Sequence, residues 1–195
     1  MNDFDIIRNL LVKDRTVRIF DSTRSIDKST LEKLIELTRF CASGRNLQPL
    51  RYRIIDDEVT NEEVFPLLAW AGYYTDWDGP EKDERPVAYL VQCIDKNLTE
   101  KILCDDGLQL QAITLGATSL GIGCCIIKSF NVAKLKTVLK LEDRYEPIYV
   151  LALGYPKETV KIEDLESDQD SSVKYYRTPD GVHHVPKRKL SDLII

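Results

Sequence analysis

The sequence predicts a single α+β domain in which a mainly antiparallel sheet is flanked by helices. Segments with the periodicity of helices and of strands follow each other in mixed order, and the regular βαβ repetition of a parallel sheet is missing. The length of 195 residues is typical of one domain with a substantial core. Hydrophobic residues make up 43% and charged residues 30% of the chain, which is a globular balance.

Four segments predict helices. In STLEKLIELTRFCA the apolar positions recur every three or four residues, and Ser29 and Glu32 are spaced as a capping box. Residues 100–120 are apolar on several sides and rich in small residues, which suits a helix in the middle of the molecule or in a subunit interface. The segment NEEVFPLLAWAG predicts a helix broken near Pro66, and NVAKLKTVLKL predicts a short helix capped by Asn131.

Four other segments predict strands: LRYRII, VAYLVQCI, GIGCCIIKSF and PIYVLALGY. The first alternates as a strand with one buried face, and the others are apolar runs typical of buried strands. After Pro156 the periodicity ends, but tyrosines, histidines and an apolar end argue against disorder. We therefore expect a body over residues 1–156 and a C-terminal arm over residues 157–195 that packs on the body or on a partner subunit.

Composition excludes several classes of protein. The first twenty residues lack the basic start and unbroken apolar centre of a secretory signal, so we expect a cytoplasmic protein that crosses no membrane. The net charge is -5 and no basic face is present, so nucleic acid is not expected as a partner. The five cysteines show no metal-ligand spacing and are expected to be reduced thiols in the core.

No familiar catalytic motif is present. The chain lacks a phosphate loop, a nucleophile elbow and a zinc-binding HExxH, and the glycines of GIG are interpreted as a turn. The two histidines, His183 and His184, are expected at the surface or at a subunit interface. Asp105 and Asp106 are interpreted as acidic residues at the start of a helix, where they complement its dipole. We therefore predict no catalytic side chain and no metal site.

Three separated groups of polar side chains carry donors and acceptors that suit a phosphate or the edge of a heterocycle: Arg15, Thr16 and Arg18; Asn46 and Gln48; Lys187 and Arg188. Each group alone is a weak signal, because arginine pairs are common on solvated faces and amides are common in turns. The order of the groups along the chain is the stronger observation.

Four elements in this order resemble the motifs of the nitroreductase-like, FMN-dependent flavoprotein family: DRTVRIF, CASGRNLQP, GIGCCIIKSF and VPKR. The segments WAGYYTDWDGP and KYYRTPDGVHHVPKRKL are similar to a subgroup described as NAD(P)H nitroreductases. The resemblance covers nearly the whole chain. It implies a nitroreductase-like fold, an intertwined homodimer with a C-terminal arm, and FMN bound at the subunit interface.

Carried over by motif, the resemblance assigns eleven residues to FMN. Those expected on the phosphate and ribityl side are Arg15, Thr16, Arg18, Lys187 and Arg188. Those expected from the other subunit, facing the ring, are Ser43, Asn46 and Gln48. Those expected beside the reactive face are Ile127, Lys128 and Ser129. The chain departs from the family pattern at Asp14, a position that is often arginine, and around Trp77 to Arg85.

The implied function is an FMN-dependent oxidoreductase that is reduced by NADH or NADPH and passes electrons to a nitroaromatic, a quinone or a similar small-molecule acceptor by ping-pong transfer. A flavin carries the chemistry itself, so the missing acid–base pair is no objection. The alternatives are a specialised flavin enzyme such as a dehalogenase or flavin-fragmenting oxygenase, a flavin-binding redox sensor without NAD(P)H turnover, and a dimeric scaffold without cofactor. Four aromatic residues are candidates for the pocket or a lid: Trp70, Tyr73, Tyr74 and Trp77.

Overall fold

The computed structural model describes residues 2–165 and 172–195, so that Met1 and residues 166–171 of the expected arm lie outside the described residues. The α-helices of the described residues are α1 (Asp3–Lys13), α2 (Lys28–Glu36), α3 (Glu58–Val64), α4 (Asp105–Ser119) and α5 (Val132–Val138). The strands are β1 (Phe20–Asp21), β2 (Leu50–Ile55), β3 (Ala88–Asp95), β4 (Gly123–Ile127), β5 (Tyr145–Pro156), β6 (Val160–Asp164), β7 (Tyr176–Arg177) and β8 (His183–Lys187).

The larger sheet is antiparallel throughout and is built around β5. One edge of β5 pairs with β3, and β3 pairs with β2. The other edge of β5 pairs first with β4 and then, at Tyr155 and Pro156, with β1. The α+β prediction with a mainly antiparallel sheet is confirmed.

Helices cover both faces of this sheet and give the molecule two hydrophobic cores. On one face, Leu34 of α2 and Ile113 of α4 pack over the sheet. On the other face, Leu135 of α5 is buried with side chains of α3. Because successive strand residues point to opposite faces, Cys124 lies in the first core and Cys125 in the second.

Most predicted elements form, but the predicted capping box is wrong. Helix α2 begins at Lys28, so Ser29 lies inside its first turn, and the carbonyl of Asp27 accepts from the backbone N–H groups of Thr30 and Leu31. The cap at Asn131 is confirmed, because its side chain accepts from the N–H of Lys134. The predicted strand LRYRII is confirmed with the same bounds.

The chain after β5 forms a smaller sheet in which β8 lies between β6, its parallel neighbour, and β7, its antiparallel neighbour. The final residues, Leu190 to Ile195, leave four large apolar side chains exposed. Within the described ranges, no helix is both long enough and apolar enough to cross a bilayer.

Candidate functional site

A cleft of about 300 Å³ lies between the segment before β1, helix α4, strand β4 and the smaller sheet. Backbone pairing places the segment before β1: Thr16 bridges Cys124 in parallel register, and the N–H of Val17 donates to the Cys124 carbonyl at 2.9 Å. Four of the sequence-predicted residues line the cleft: Arg15, Thr16, Arg18 and Lys187.

Arg18 forms the buried part of the cleft wall, with an exposed fraction of only 8%. Its guanidinium lies 4.6 Å from the centre of the Tyr175 ring, and Nη1 lies 3.2 Å from Nε2 of His183. The Nε atom is buried and has no hydrogen-bond partner among the described residues. At the wall of a cleft, a guanidinium donor without an acceptor is free to donate to a ligand.

Asp14 and Arg15 occupy the neighbouring wall. The Asp14 carboxylate accepts hydrogen bonds from Thr114 Oγ1 at 2.7 Å and from Gln111 Nε2 at 2.6 Å, so helix α4 holds it in place. Arg15 donates to the Leu11 carbonyl through Nη2, and its buried Nε also has no partner among the described residues. The cleft therefore combines three cationic side chains with one carboxylate.

Glu158 fastens the smaller sheet to the segment before β1. Its carboxylate is almost fully buried and accepts from the backbone N–H groups of Arg18 and Ile19. The same carboxylate accepts from Arg177 Nη2 at 2.8 Å. A buried carboxylate with three donors is a satisfied charge, and it fixes the backbone that carries Arg18.

His183 is a residue that sequence reasoning placed wrongly. We expected both histidines at the surface or at a subunit interface, but the exposed fractions are 1% for His183 and 9% for His184. Burial, followed by the positive charge of Arg18, lowers the pKa of His183 to about 4. Alternation along β8 could have placed it, because His183 lies four residues before Lys187 and on the same face of the strand.

The loop with Ser43, Asn46 and Gln48 does not line this cleft. Ser43 Oγ donates to the Asp105 carboxylate at 2.5 Å, and the side-chain amide of Gln48 donates to Asn46 Oδ1 at 3.2 Å. Arg45, Asn46 and Gln48 have φ angles of 54°, 57° and 48°. Left-handed conformations at non-glycine residues are costly, and they mark loops that the surrounding structure holds in place for a purpose.

Asp105 is the anchor of that loop. It accepts from Ser43 Oγ and from the N–H of Gly44 at 3.1 Å. Burial favours its neutral form, but the hydrogen bonds from Ser43 and Gly44 favour the carboxylate and together lower the pKa of Asp105. Asp105 therefore does more than complement the dipole of α4, which was its predicted role.

The residues that were predicted to lie beside the reactive face of the flavin are found at the end of β4 and just beyond it, and they differ in exposure. Ile127 faces the core with an exposed fraction of 4%, whereas Ile126, at 44%, lines the cleft. Lys128 and Ser129 are exposed just beyond the strand, and the Ser129 carbonyl accepts from the N–H of Ala69 at 2.9 Å. Arg188 is exposed next to Lys187 and does not line the cleft.

Three of the four candidate aromatic residues gather beside the cleft around Tyr175. The ring centres of Tyr73 and Tyr74 lie 4.9 and 5.3 Å from that of Tyr175, and Trp77 contacts Tyr74 at 5.9 Å. We call Tyr73, Tyr74, Trp77 and Tyr175 the aromatic cluster. Trp70 instead belongs to the core, where it packs against Phe65.

A model of the nitroreductase family matches the chain over residues 12–99 and 95–155, which is well over half of its length. The chain belongs to the nitroreductase family. The family resemblance seen in the sequence motifs is thereby confirmed, and membership makes the protein an oxidoreductase of the flavin-dependent type. None of the curated proteins matches the chain.

Solved structures share the nitroreductase fold with this chain. A nitroreductase family protein from Clostridium difficile 630 is 24% identical, with a TM-score of 0.60, over 80% of this chain and 86% of that chain. A Parabacteroides distasonis protein, provisionally an NADH dehydrogenase/NAD(P)H nitroreductase, is 19% identical, with a TM-score of 0.65, over 90% and 98%. The NADPH:FMN oxidoreductase from Vibrio harveyi, complexed with NAD+, is 19% identical, with a TM-score of 0.60, over 78% and 69%. At these identities the structures show the fold alone.

The residues of the cleft fit the phosphate end of a flavin nucleotide. Arg15, Arg18 and Lys187 exceed Asp14 by two positive charges, which matches a phosphate dianion. The two buried guanidinium Nε atoms supply unused donors, and the exposed hydroxyl of Thr16 can add another. The donor set of this chain therefore suits a phosphate monoester.

Proposed function

We propose that this nitroreductase-family protein is an FMN-dependent oxidoreductase with NADH or NADPH as its electron donor. The observation that carries the proposal is the cationic cleft, in which two buried arginine Nε atoms have no acceptor among the described residues. Bound FMN would supply hydride uptake from NAD(P)H and electron delivery to a nitroaromatic, quinone or similar acceptor in a ping-pong sequence.

In this proposal the phosphate and ribityl side is held by Arg15, Thr16, Arg18 and Lys187, with the neighbouring Arg188 as an additional cation. Guanidinium forks match phosphate oxygens in charge and in direction, and the ammonium of Lys187 adds a mobile point charge. The chain's own task is to bind and orient the nucleotide, so we assign no catalytic side chain.

The ring side of the site is proposed to need a second subunit. Ser43, Asn46 and Gln48 present an ordered polar loop, but none of the three lines the cleft of its own chain. We therefore propose a homodimer in which this loop faces the flavin ring of the partner. Lys128 and Ser129, exposed beyond β4, would lie beside the reactive face, and Ile127 would contribute only its backbone.

Exposed apolar surface supports the proposed dimer. Helix α1 has no buried residue within the chain, yet Phe4, Ile7 and Leu11 are apolar and exposed. At the other end of the chain, Leu193 and Ile194 are each 68% exposed. Large apolar side chains at such density are typical of surfaces that another protein chain covers.

The test of this function is the visible spectrum of the purified protein, recorded without oxygen before and after NADH and then NADPH. Flavin absorption bands that bleach with either nucleotide are the expected result. Bands that persist with both would argue for a redox sensor or a different electron donor. A colourless protein that takes up no FMN on reconstitution would overturn the proposal.

A further inference from the structure

A buried hydrogen-bonded chain connects the aromatic cluster to the cleft. The Tyr74 hydroxyl lies 2.6 Å from Nδ1 of His183, and Nε2 of the same ring lies 3.2 Å from Nη1 of Arg18. The imidazole is fully enclosed, and its ring also packs against Tyr175 with 5.3 Å between ring centres. The phosphate site as proposed above gives His183 no role.

The chemistry of the two neighbours allows only one arrangement of protons on this imidazole. A guanidinium carries donors and no acceptor, so Nε2 of His183 must be the accepting atom toward Arg18. A neutral imidazole that accepts at Nε2 carries its proton on Nδ1. That proton points at the Tyr74 oxygen, which can accept it.

We infer that His183 is a positioning residue: as the neutral Nδ1–H tautomer it accepts a hydrogen bond from Arg18 and holds the guanidinium at the wall of the cleft, while the Tyr74 hydroxyl accepts the Nδ1 proton. The backbone of Arg18 is held separately by Glu158, so His183 acts on the direction of the side chain. The inference rests on the proposed function only in taking FMN as the ligand that Arg18 serves.

The surroundings of the ring keep it neutral. The groups that act on it come from the segment before β1, the aromatic cluster, the connection between β5 and β6, and strands β7 and β8: Arg18, Tyr74, Tyr175, Glu158, Arg177 and His184. Burial and the positive charge of Arg18 oppose a proton on Nε2, and they outweigh the attraction of Glu158. A protonated ring would present an N–H to the N–H of Arg18 and turn the contact repulsive.

Nitrogen-15 NMR of the imidazole rings tests the inference without any cofactor. The chain has two histidines, so the signals that disappear in His183→Gln identify those of His183. The expected result near neutral pH is the neutral tautomer with its proton on Nδ1. A proton on Nε2, or a cationic ring, would overturn the inference. In Tyr74→Phe the Nδ1–H loses its acceptor, but Arg18 still requires an unprotonated Nε2, so the same tautomer is expected there.

The affinity for FMN of the cofactor-free protein, measured by quenching of flavin fluorescence, gives a second test. His183→Leu removes the acceptor and should weaken FMN binding about tenfold, whereas His183→Gln, whose amide oxygen can accept, should restore most of the affinity. The matched control is His184→Gln, on the opposite face of β8, which should change the affinity less than about twofold. Wild-type affinity in a folded His183→Leu variant would overturn the inference.

The two measurements separate the inference from the proposed function. If the wild-type protein takes up no FMN, the proposed function fails, and the NMR tautomer still decides the role of His183. If wild-type FMN binding is tight and the Nδ1–H tautomer is absent, the function stands and the inference fails. Because the NMR result comes from the wild-type chain, it holds even where the leucine variant does not fold.

Discussion

Asp14 is the residue that sets this cleft apart, because it puts a negative charge where a phosphate is proposed to bind. The family often has arginine at this position. Here the carboxylate is tied to α4 through Thr114 and Gln111, two side chains that can also hydrogen-bond an amide. The charge can therefore be removed with little change in the packing around it.

Replacement of Asp14 by asparagine should tighten FMN binding, by about three- to tenfold at low ionic strength, because one like charge is removed from beside the phosphate. Titration of the cofactor-free protein with FMN at low and high salt measures the effect, which should shrink as salt increases. Asp3→Asn in α1 makes the same charge change outside the cleft and is the control. Unchanged or weaker binding at low salt would show that the phosphate does not lie near residue 14.

At the scale of residues, the sequence predicted which charged and polar side chains line the cleft, but it did not predict which other side chains contact them. Arg15, Thr16, Arg18 and Lys187 could be found because they carry charge or hydroxyl groups in recognisable motifs. Tyr175, by contrast, reaches Arg18 only through the tertiary fold, and local pattern contains no information about contacts between residues so far apart in sequence.

At the scale of elements, helix α4 and the loop before β2 form one unit through Asp105. The loop has three left-handed non-glycine residues within four positions, so its conformation depends on bonds from outside the loop. Two of those bonds run from Ser43 and Gly44 to Asp105. The start of the helix thus determines the shape of the loop that is proposed to face the ring.

Asp105→Ala should lower the free energy of unfolding by about 1–3 kcal/mol, because it leaves two partly buried donors of the loop, Ser43 Oγ and the Gly44 N–H, without their acceptor. Urea unfolding measures the change. Asp106→Ala is the matched control, since it removes a charge from the same helical turn but makes none of the side-chain bonds to the loop. Equal losses from both variants would mean that only the helix dipole is involved.

The loss of stability in Asp105→Ala should also depend on pH. The pKa of Asp105 in the folded protein lies below the ordinary value of an aspartate, so the carboxylate stabilises the fold at pH values above the pKa of the unfolded chain. The difference in stability between wild type and Asp105→Ala should be full above about pH 5 and should shrink as the pH falls through the pKa of the folded protein. A difference that is constant with pH would contradict the assigned role of the carboxylate.

Helices and strands were predictable from the sequence where the hydrophobic periodicity was strong. The residues at which they begin and end were harder to predict. Strand β2 and the cap at Asn131 follow directly from alternation and from cap chemistry. The start of α2 was misplaced because Asp27 and Ser29 are both good cap residues, and only the packing of the helix decides between them. The smaller sheet was not predicted at all, because β6 and β8 are short, partly exposed and paired across a long stretch of chain.

At the scale of the whole molecule, the exposed apolar side chains of α1 and of the last residues predict self-association. The double variant Leu193→Ser with Ile194→Ser should weaken the dimer, because both side chains are expected to be buried only by the partner. Sedimentation velocity over a range of concentrations measures the change. Val59→Ser, an equally exposed apolar position on α3, is the control and should leave the association unchanged. A double variant that sediments as wild type would exclude the C-terminal residues from the interface.

The contacts of Arg18 also determine at which stage of synthesis and folding the cleft can form. Its partners Glu158 and His183 follow it by 140 and 165 positions, so both ends of the sequence are needed to form one wall. A chain still emerging from the ribosome cannot complete this wall until β8, which carries His183, has been made. Such distant pairings are slow steps in folding. Cofactor uptake through Arg18 is therefore an event that follows synthesis, and chains that terminate early would lack the cleft even where the larger sheet has formed.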